Sequence, residues 1–118
     1  MKNILLVYLL LLSFFACGQN QNSNVKYPEG YTSQLDVVYN TINGWEGKMD
    51  LYLPSKNNVP SPIVINIHGG GWARGSKETQ SGFGSFFKAG FAVANISYRL
   101  AGTAKAPAAI EDTRCVLI

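Results

Sequence analysis

A histidine followed by three glycines and a tryptophan, His68 to Trp72, is the part of the sequence best suited to chemistry. It comes directly after Ile63–Ile67, an apolar and mostly β-branched run that is typical of a strand covered on both faces. Glycine adopts positive φ values that turn successive N–H groups toward one point, and it lets a substrate oxygen approach them closely. Such a nest favours negative charge, which the tetrahedral intermediate of ester hydrolysis places on one oxygen. The segment therefore predicts an oxyanion-binding loop at the carboxyl end of a buried strand.

The residues before this segment predict a β-hairpin. Gln34–Tyr39 and Lys48–Leu53 both favour strand, and apolar residues alternate with others in the second run. Asn43-Gly44, which lies between them, is a strong turn signal. We therefore expect two antiparallel strands ahead of the glycines.

The residues after the glycines alternate between helical and strand patterns. Lys77–Ala89 predicts a helix that ends at Gly90 and carries its phenylalanines on one face. Phe91–Ser97 predicts a second apolar strand, and Pro107 opens a second helix. That helix is expected to have one largely apolar face, made of Ile110, Thr113, Val116 and Leu117. The order hairpin, strand, helix, strand, helix predicts an α/β fold, a parallel sheet with an antiparallel edge, which we expect to be incomplete at the end of this sequence.

The start of the chain has the layout of an export signal. Residues 1–16 contain Lys2, an apolar run and then small residues, as in a secretory signal peptide. Cys17 stands where a bacterial lipoprotein signal places its lipidated cysteine, and plain cleavage that leaves a free thiol is the alternative. Residues 17–25 are expected to form a polar tether, and 26–118 the folded part. We expect an exported protein of the periplasm or cell envelope, anchored to the membrane as a lipoprotein, or otherwise a secreted one.

Composition narrows the functions further. With 47% hydrophobic and 14% charged residues, the 118-residue chain has room for one domain at most. The formal net charge is only +3, and no basic patch interleaved with aromatic residues suggests a nucleic-acid partner. Nothing in the sequence implies a metal ion or an organic cofactor, so we expect neither.

A family resemblance is carried by four stretches in a fixed order. They are Asp50-Leu51-Tyr52-Leu53-Pro54, then IVINIHGGGW at 63–72, then Ser97-Tyr98-Arg99-Leu100, and then Pro107-Ala108-Ala109 with Asp112. Together they resemble the N-terminal half of α/β-hydrolase esterases and lipases of the hormone-sensitive-lipase and carboxylesterase kind. The resemblance implies a serine carboxylic ester hydrolase that acts on a small ester or an acylated carbohydrate.

The resemblance also implies roles for individual residues. Gly70 and Gly71 would donate backbone N–H groups to the oxyanion, with a third donor from the residue after the nucleophile. His68 would orient the glycines through its side chain. Trp72 would either line the acyl pocket or pack as an aromatic that shields these residues.

An arginine and an aspartate are implied to form a structural ion pair. In the family, Arg99 and Asp112 would tie the segment after the second parallel strand to the following helix. A solvated arginine without a partner is the simpler alternative. The stretch AGTAKA at 101–106 departs from many relatives, which have a proline and an acidic residue there.

No catalytic nucleophile is recognisable in the 118 residues. The nearest match to G-x-S-x-G is Gly82-Phe83-Gly84-Ser85, which lacks the trailing glycine and falls in a predicted helix. In the family the serine, the acid and the histidine all follow the region that corresponds to Ile118. We therefore expect the 118-residue chain on its own to be inactive.

Two other interpretations remain open at this point. Gly69, Gly71 and Gly75 follow a predicted strand and precede a predicted helix, as in dinucleotide-binding proteins, but no acidic residue ends the next strand. A non-catalytic remnant or binding domain on the same scaffold is the second alternative, because function depends on the site rather than on the fold.

Overall fold

A computed structural model describes residues 24–55 and 60–117. Its four strands are β1 (Tyr31–Ile42), β2 (Trp45–Pro54), β3 (Ile63–Ile67) and β4 (Ala92–Ile96). Two α-helices, α1 (Gly84–Lys88) and α2 (Ala108–Cys115), and a 3-10 turn at Lys77–Thr79 complete the regular structure. The signal peptide, the lipidation site at Cys17 and most of the tether predicted above lie outside the described residues.

The strands form one mixed sheet in the order β1-β2-β4-β3. The two residues between β1 and β2, Asn43 and Gly44, both have positive φ values (50° and 81°), as a tight hairpin turn requires. β2 pairs antiparallel with β4, and β3 pairs parallel with β4. The predicted α/β fold, with a hairpin beside a parallel pair, is therefore confirmed.

The strand predicted at Ile63–Ile67 forms with those bounds, but in the described sheet β4 is the buried strand, so the expectation that β3 is covered on both faces was wrong. Every residue of β4 is buried, whereas Ile63 and Ile67 are 53% and 54% exposed. The reason is position in the sheet, because β4 lies between β2 and β3 while β3 is the edge strand of the described sheet. The apolar composition of β3 and β4 did not by itself show which of the two strands would be buried.

The single helix predicted over Lys77–Ala89 is interrupted. After the 3-10 turn the chain becomes extended at Gln80 and passes through Gly82 with a φ of 88°, and α1 then begins only at Gly84. Phe83, Phe86 and Phe87 were expected to share one face; Phe83 and Phe87 are buried, whereas Phe86 is 38% exposed, so that expectation holds only for two of the three. Glycine loses more conformational entropy in a helix than other residues, and at Gly82 this cost outweighed the helical spacing of the phenylalanines.

Helix α2 begins directly after Pro107, as predicted, but it turns a different face inward. Ile110 and Leu117 are 56% and 71% exposed, whereas Ala108 and Asp112 are buried. A carboxylate takes an inward position only when it has a partner, and Asp112 has one in Arg99.

The core lies between the hairpin and α1. It consists of Val25, Tyr52, Phe83, Phe87 and Val93, with Tyr31 and Leu35 packed against it. Val25 was assigned to the tether, yet it is only 7% exposed, so the folded part begins at least one residue before position 26.

Candidate functional site

The candidate site lies where the two parallel strands end. Ile67 of β3 and Ile96 of β4 are register partners, so the segments that follow them leave the sheet side by side. The first of these, residues 68–76, is called the glycine loop below. The two segments are joined by a hydrogen bond in which the Ala101 N–H donates to the Trp72 carbonyl at 2.8 Å.

Gly70 and Gly71 occupy conformations that favour glycine. Their φ values are 126° and 60°. A Cβ at Gly70 would overlap the carbonyl oxygen of Arg74, whereas a Cβ at Gly71 would meet nothing within 4 Å. Among residues 24–55 and 60–117, no acceptor pairs with the N–H group of either glycine. The loop therefore keeps two adjacent donors available, which is what an oxyanion requires.

His68 is buried inside the loop, with only 3% exposure. Its Nδ1 lies 2.8 Å from the Gly69 carbonyl oxygen, and because a carbonyl only accepts, Nδ1 carries the proton. The ring stacks on Tyr98 at a centroid distance of 4.3 Å, and the Tyr98 hydroxyl donates to the His68 carbonyl at 2.9 Å. Nε2 is buried and has no partner within the described part of the chain. The His68 ring thus contacts the loop backbone at Gly69 and the Tyr98 ring, and these contacts suit an orienting residue.

Trp72 extends away from the loop. Its side chain is 61% exposed and its φ is 60°. It borders an apolar cavity of about 80 Å³ that is otherwise lined by Arg99, Pro107, Ile110 and four alanines. The two roles considered for Trp72, lining the acyl pocket and shielding the loop, both stay predictions.

Arg99, which follows β4, pairs with Asp112 in the middle of α2. The guanidinium donates from Nε at 3.0 Å and from Nη2 at 2.8 Å to the Asp112 carboxylate, which also accepts the Arg99 backbone N–H at 2.8 Å. Asp112 is fully buried. Hydrogen bonding to Asp112 raises the pKa of Arg99 above its usual range. This geometry fixes the segment after β4 to the helix.

A second charged group, around Lys77, was missed in the sequence. The Lys77 ammonium is 2.8 Å from Asp36, 2.8 Å from Asp50 and 2.9 Å from Glu78, while its side chain is only 5% exposed. Lysine is almost never buried unless it is paired, and no sequence pattern marks such pairing between distant residues. Asp50 occupies a polar position of the alternating run Lys48–Leu53, so the sequence pattern gave no indication that its carboxylate is buried.

These contacts decide the charge states around Lys77. Burial alone would lower the pKa of Lys77, but the hydrogen bonds to the three carboxylates outweigh it and raise that pKa above its ordinary value. Burial would raise the pKa of Glu78, yet hydrogen bonds from Lys77 and Ser76 lower it to about 2. The ammonium and Glu78 are therefore both charged at neutral pH.

The dinucleotide-binding interpretation was wrong. It requires the glycines to open a helix whose N-terminus binds a pyrophosphate. The described chain instead forms turns after Gly71 and only a three-residue 3-10 turn at Lys77–Thr79.

Over residues 24–55 and 60–117, no group of three or more histidine, cysteine or acidic side chains is placed to hold a metal ion. None of the helices in those ranges is long and apolar enough to cross a membrane.

Comparison with known proteins gives a consistent result. The family model BD-FAE matches residues 49–118, which include the glycine loop and the Arg99–Asp112 pair. Kynurenine formamidase of Danio rerio is 45% identical over 49 residues, which are 42% of this chain and 16% of that protein.

Solved esterases share the fold. Esterase B from Lactobacillus rhamnosis, in an inhibited form, is 27% identical with a TM-score of 0.62, over 80% of this chain and 31% of its own. A bacterial heroin esterase is 30% identical with a TM-score of 0.59, over 75% of this chain and 29% of its own. The chain thus spans less than a third of the length of these esterases.

Proposed function

Because this chain belongs to the BD-FAE family of α/β-hydrolase-like esterases, we propose that it supplies the oxyanion-binding part of a serine carboxylic ester hydrolase. The observation that carries the proposal is the pair of adjacent N–H groups at Gly70 and Gly71, which have no acceptor among the described residues. Removing one oxyanion donor from a serine hydrolase costs about 100- to 1,000-fold in kcat, so such donors are central to the reaction.

The nucleophile, the acid and the general base are proposed to follow Ile118 in the complete protein. His68 is unsuited to be the base because Nε2, the ring nitrogen left to accept a proton, is buried and meets no hydroxyl or thiol among the described residues. The complete protein should hydrolyse p-nitrophenyl butyrate through a serine acyl-enzyme, and the 118-residue chain should not. A complete protein that neither hydrolyses short-chain esters nor reacts with a fluorophosphonate probe would refute the proposal and favour a non-catalytic remnant.

His68 has a supporting role in this proposal. Replacing it with alanine removes the contact with Gly69 and the stacking on Tyr98, so kcat should fall by about 10- to 100-fold without being abolished. Loss of the downstream histidine should be far more severe. If His68→Ala were as inactive as a variant without the nucleophile, the orienting role would be wrong.

The substrate is proposed to be a small ester or an acylated carbohydrate. The apolar lining of the cavity beside Trp72, made mainly of alanines, Pro107 and Ile110, supports an apolar acyl or alkoxy group. The similarity to a protein named kynurenine formamidase favours a second candidate, hydrolysis of a formylated arylamine, since the same oxyanion chemistry serves amides. Comparing kcat/KM for p-nitrophenyl butyrate and an N-formyl arylamine on the complete protein separates the two.

Export and membrane anchoring through Cys17 are proposed from the sequence alone. The apolar run followed by Ala16, Cys17 and Gly18 supports a diacylated mature terminus. Mass spectrometry of the mature protein tests it. An unmodified terminus at Gln19 or a retained Met1 would exclude the anchor.

A further inference from the structure

We propose that Lys77 is a positioning residue. It holds the glycine loop in the conformation in which Gly70 and Gly71 offer their N–H groups to a ligand. The inference rests on the proposed oxyanion role of Gly70 and Gly71. It assigns a task to the buried charged group that neither the family resemblance nor the comparisons assign.

The side chain of Lys77 is fully engaged. An ammonium has three N–H donors, and three carboxylates surround this one, those of Asp36, Asp50 and Glu78. Asp50 is the buried partner, with a side chain only 8% exposed, whereas the other two are about half exposed. Charge-assisted hydrogen bonds of this kind are roughly twice as strong as neutral ones. The ammonium therefore joins the end of the glycine loop to β1 and β2 at once.

A β-bulge in β1 makes one of these contacts possible. The register of β1 against β2 shifts between Gln34 and Val37, and Asp36 within the bulge has a φ of 55°. Its N–H donates to the Asp50 carboxylate at 3.0 Å while its own carboxylate reaches Lys77. Bulges typically redirect a side chain, and aspartate is among the residues that tolerate this conformation.

The backbone of Lys77 is fixed as well. Its N–H donates to the Ser97 hydroxyl at 3.0 Å, and its carbonyl accepts from the Asn95 side-chain amide at 2.8 Å. Asn95 in turn accepts a hydrogen bond from Asn66 of β3 at 2.9 Å. One residue thus connects the loop to all four strands of the described sheet.

The glycine loop receives this constraint through Gly75. Gly75 lies two residues before Lys77, and its φ is 103°. A Cβ there would be 2.6 Å from both the Gly69 carbonyl oxygen and His68 Nδ1, so the backbone at Gly75 packs directly behind His68 and Gly69. If Lys77 moves, the support behind these two residues is lost, and the backbone conformation of the adjacent Gly70 and Gly71 is no longer fixed.

The test separates positioning from simple stability. Lys77→Met removes the ammonium but leaves Asp50 buried without a cation, which destabilises the protein for an unrelated reason. The double variant Lys77→Met with Asp50→Asn removes that charge and keeps an oxygen to accept the Asp36 N–H. Lys48→Met is the matched control, since Lys48 lies at the surface and pairs with the exposed Glu46 at 3.3 Å.

Two measurements on the complete protein decide the outcome. In the double variant, amide hydrogen exchange should accelerate at residues 69–74 but not in Ala92–Ile96, and kcat for p-nitrophenyl butyrate should fall by about 10- to 100-fold with KM within about twofold. The Lys48→Met control should match the wild type in both. Unchanged loop exchange and kcat, or an equal acceleration of exchange in the loop and in β4, would overturn the proposal. Hydrogen exchange tests the role of Lys77 even if the wild type cleaves no ester. Failure of the proposed esterase function can therefore be distinguished from failure of the positioning role.

Discussion

Replacing Gly70 with alanine tests whether the shape of the glycine loop depends on that position. The added Cβ would overlap the Arg74 carbonyl oxygen, which belongs to the backbone and cannot rotate away. Relief requires opening the turn that the Ala73 N–H and the Gly70 carbonyl close at 3.2 Å. A residue other than glycine at a φ of 126° costs about 1–3 kcal/mol, and separating the backbone segments costs about 1–3 kcal/mol more. We therefore expect the free energy of unfolding to fall by roughly 2–6 kcal/mol and kcat to fall by about 100-fold.

Urea unfolding and steady-state ester hydrolysis of the complete protein measure the two effects. Gly84→Ala is the control, because its Cβ enters open space in α1 and helical alanine is preferred to glycine by about 1 kcal/mol. Gly71→Ala should lie between them in stability, since its Cβ also meets open space but its φ of 60° costs about 1–2 kcal/mol. If Gly70→Ala were as stable and as active as Gly84→Ala, the steric argument would be refuted.

Two further predictions concern charge. The pKa of Glu78 is lowered from 4.5 to about 2, so the stability it contributes is fully present above pH 4.5 and is lost as the pH falls toward 2. Glu78→Gln should therefore flatten the fall of the urea midpoint in that window, and an unchanged slope would contradict the assignment. Asp112→Asn should cost about 3 kcal/mol of unfolding free energy, because it removes the fully buried carboxylate that binds Arg99 and leaves the guanidinium facing the exposed Glu111 carboxylate at 3.6 Å. Glu111→Gln, which removes an exposed carboxylate 3.6 Å from Arg99, should cost less than about 1 kcal/mol in the same urea assay, and equal losses would count against the buried pair.

The sequence was sufficient where local chemistry decides the structure. Asn43-Gly44 forms the hairpin turn, β3 has the predicted bounds Ile63–Ile67, and Gly90 follows α1 with a φ of 78°. The glycine loop was likewise recognisable in the sequence, because Gly70 and Gly75 have positive φ values at positions where a Cβ would overlap neighbouring atoms. Its candidate roles at Gly70, Gly71 and His68 remain predictions that the proposed experiments test.

The sequence was insufficient to predict the structure where contacts between residues far apart in the chain determine it. Whether β3 or β4 lies inside depends on strand order, which the similar apolar runs do not specify. The burial of Lys77 depends on Asp36 and Asp50, which are far from it in the chain and come near it only when the sheet has formed. A lysine after a glycine-rich segment looks like a solvated surface residue until those partners are known.

The contacts of Lys77 also imply an order of folding events. Asp50 and Asn95, which bind its side chain and its carbonyl, are register partners in β2 and β4, so both contacts exist only after the hairpin has paired with β4. Pairing of segments so distant in sequence is slow, because chain entropy is lost before the contacts stabilise the product. The local turn at Asn43-Gly44 can form early, whereas the glycine loop acquires its final shape among the last events. Substitutions at Lys77 should then mainly accelerate unfolding and leave the folding rate nearly unchanged.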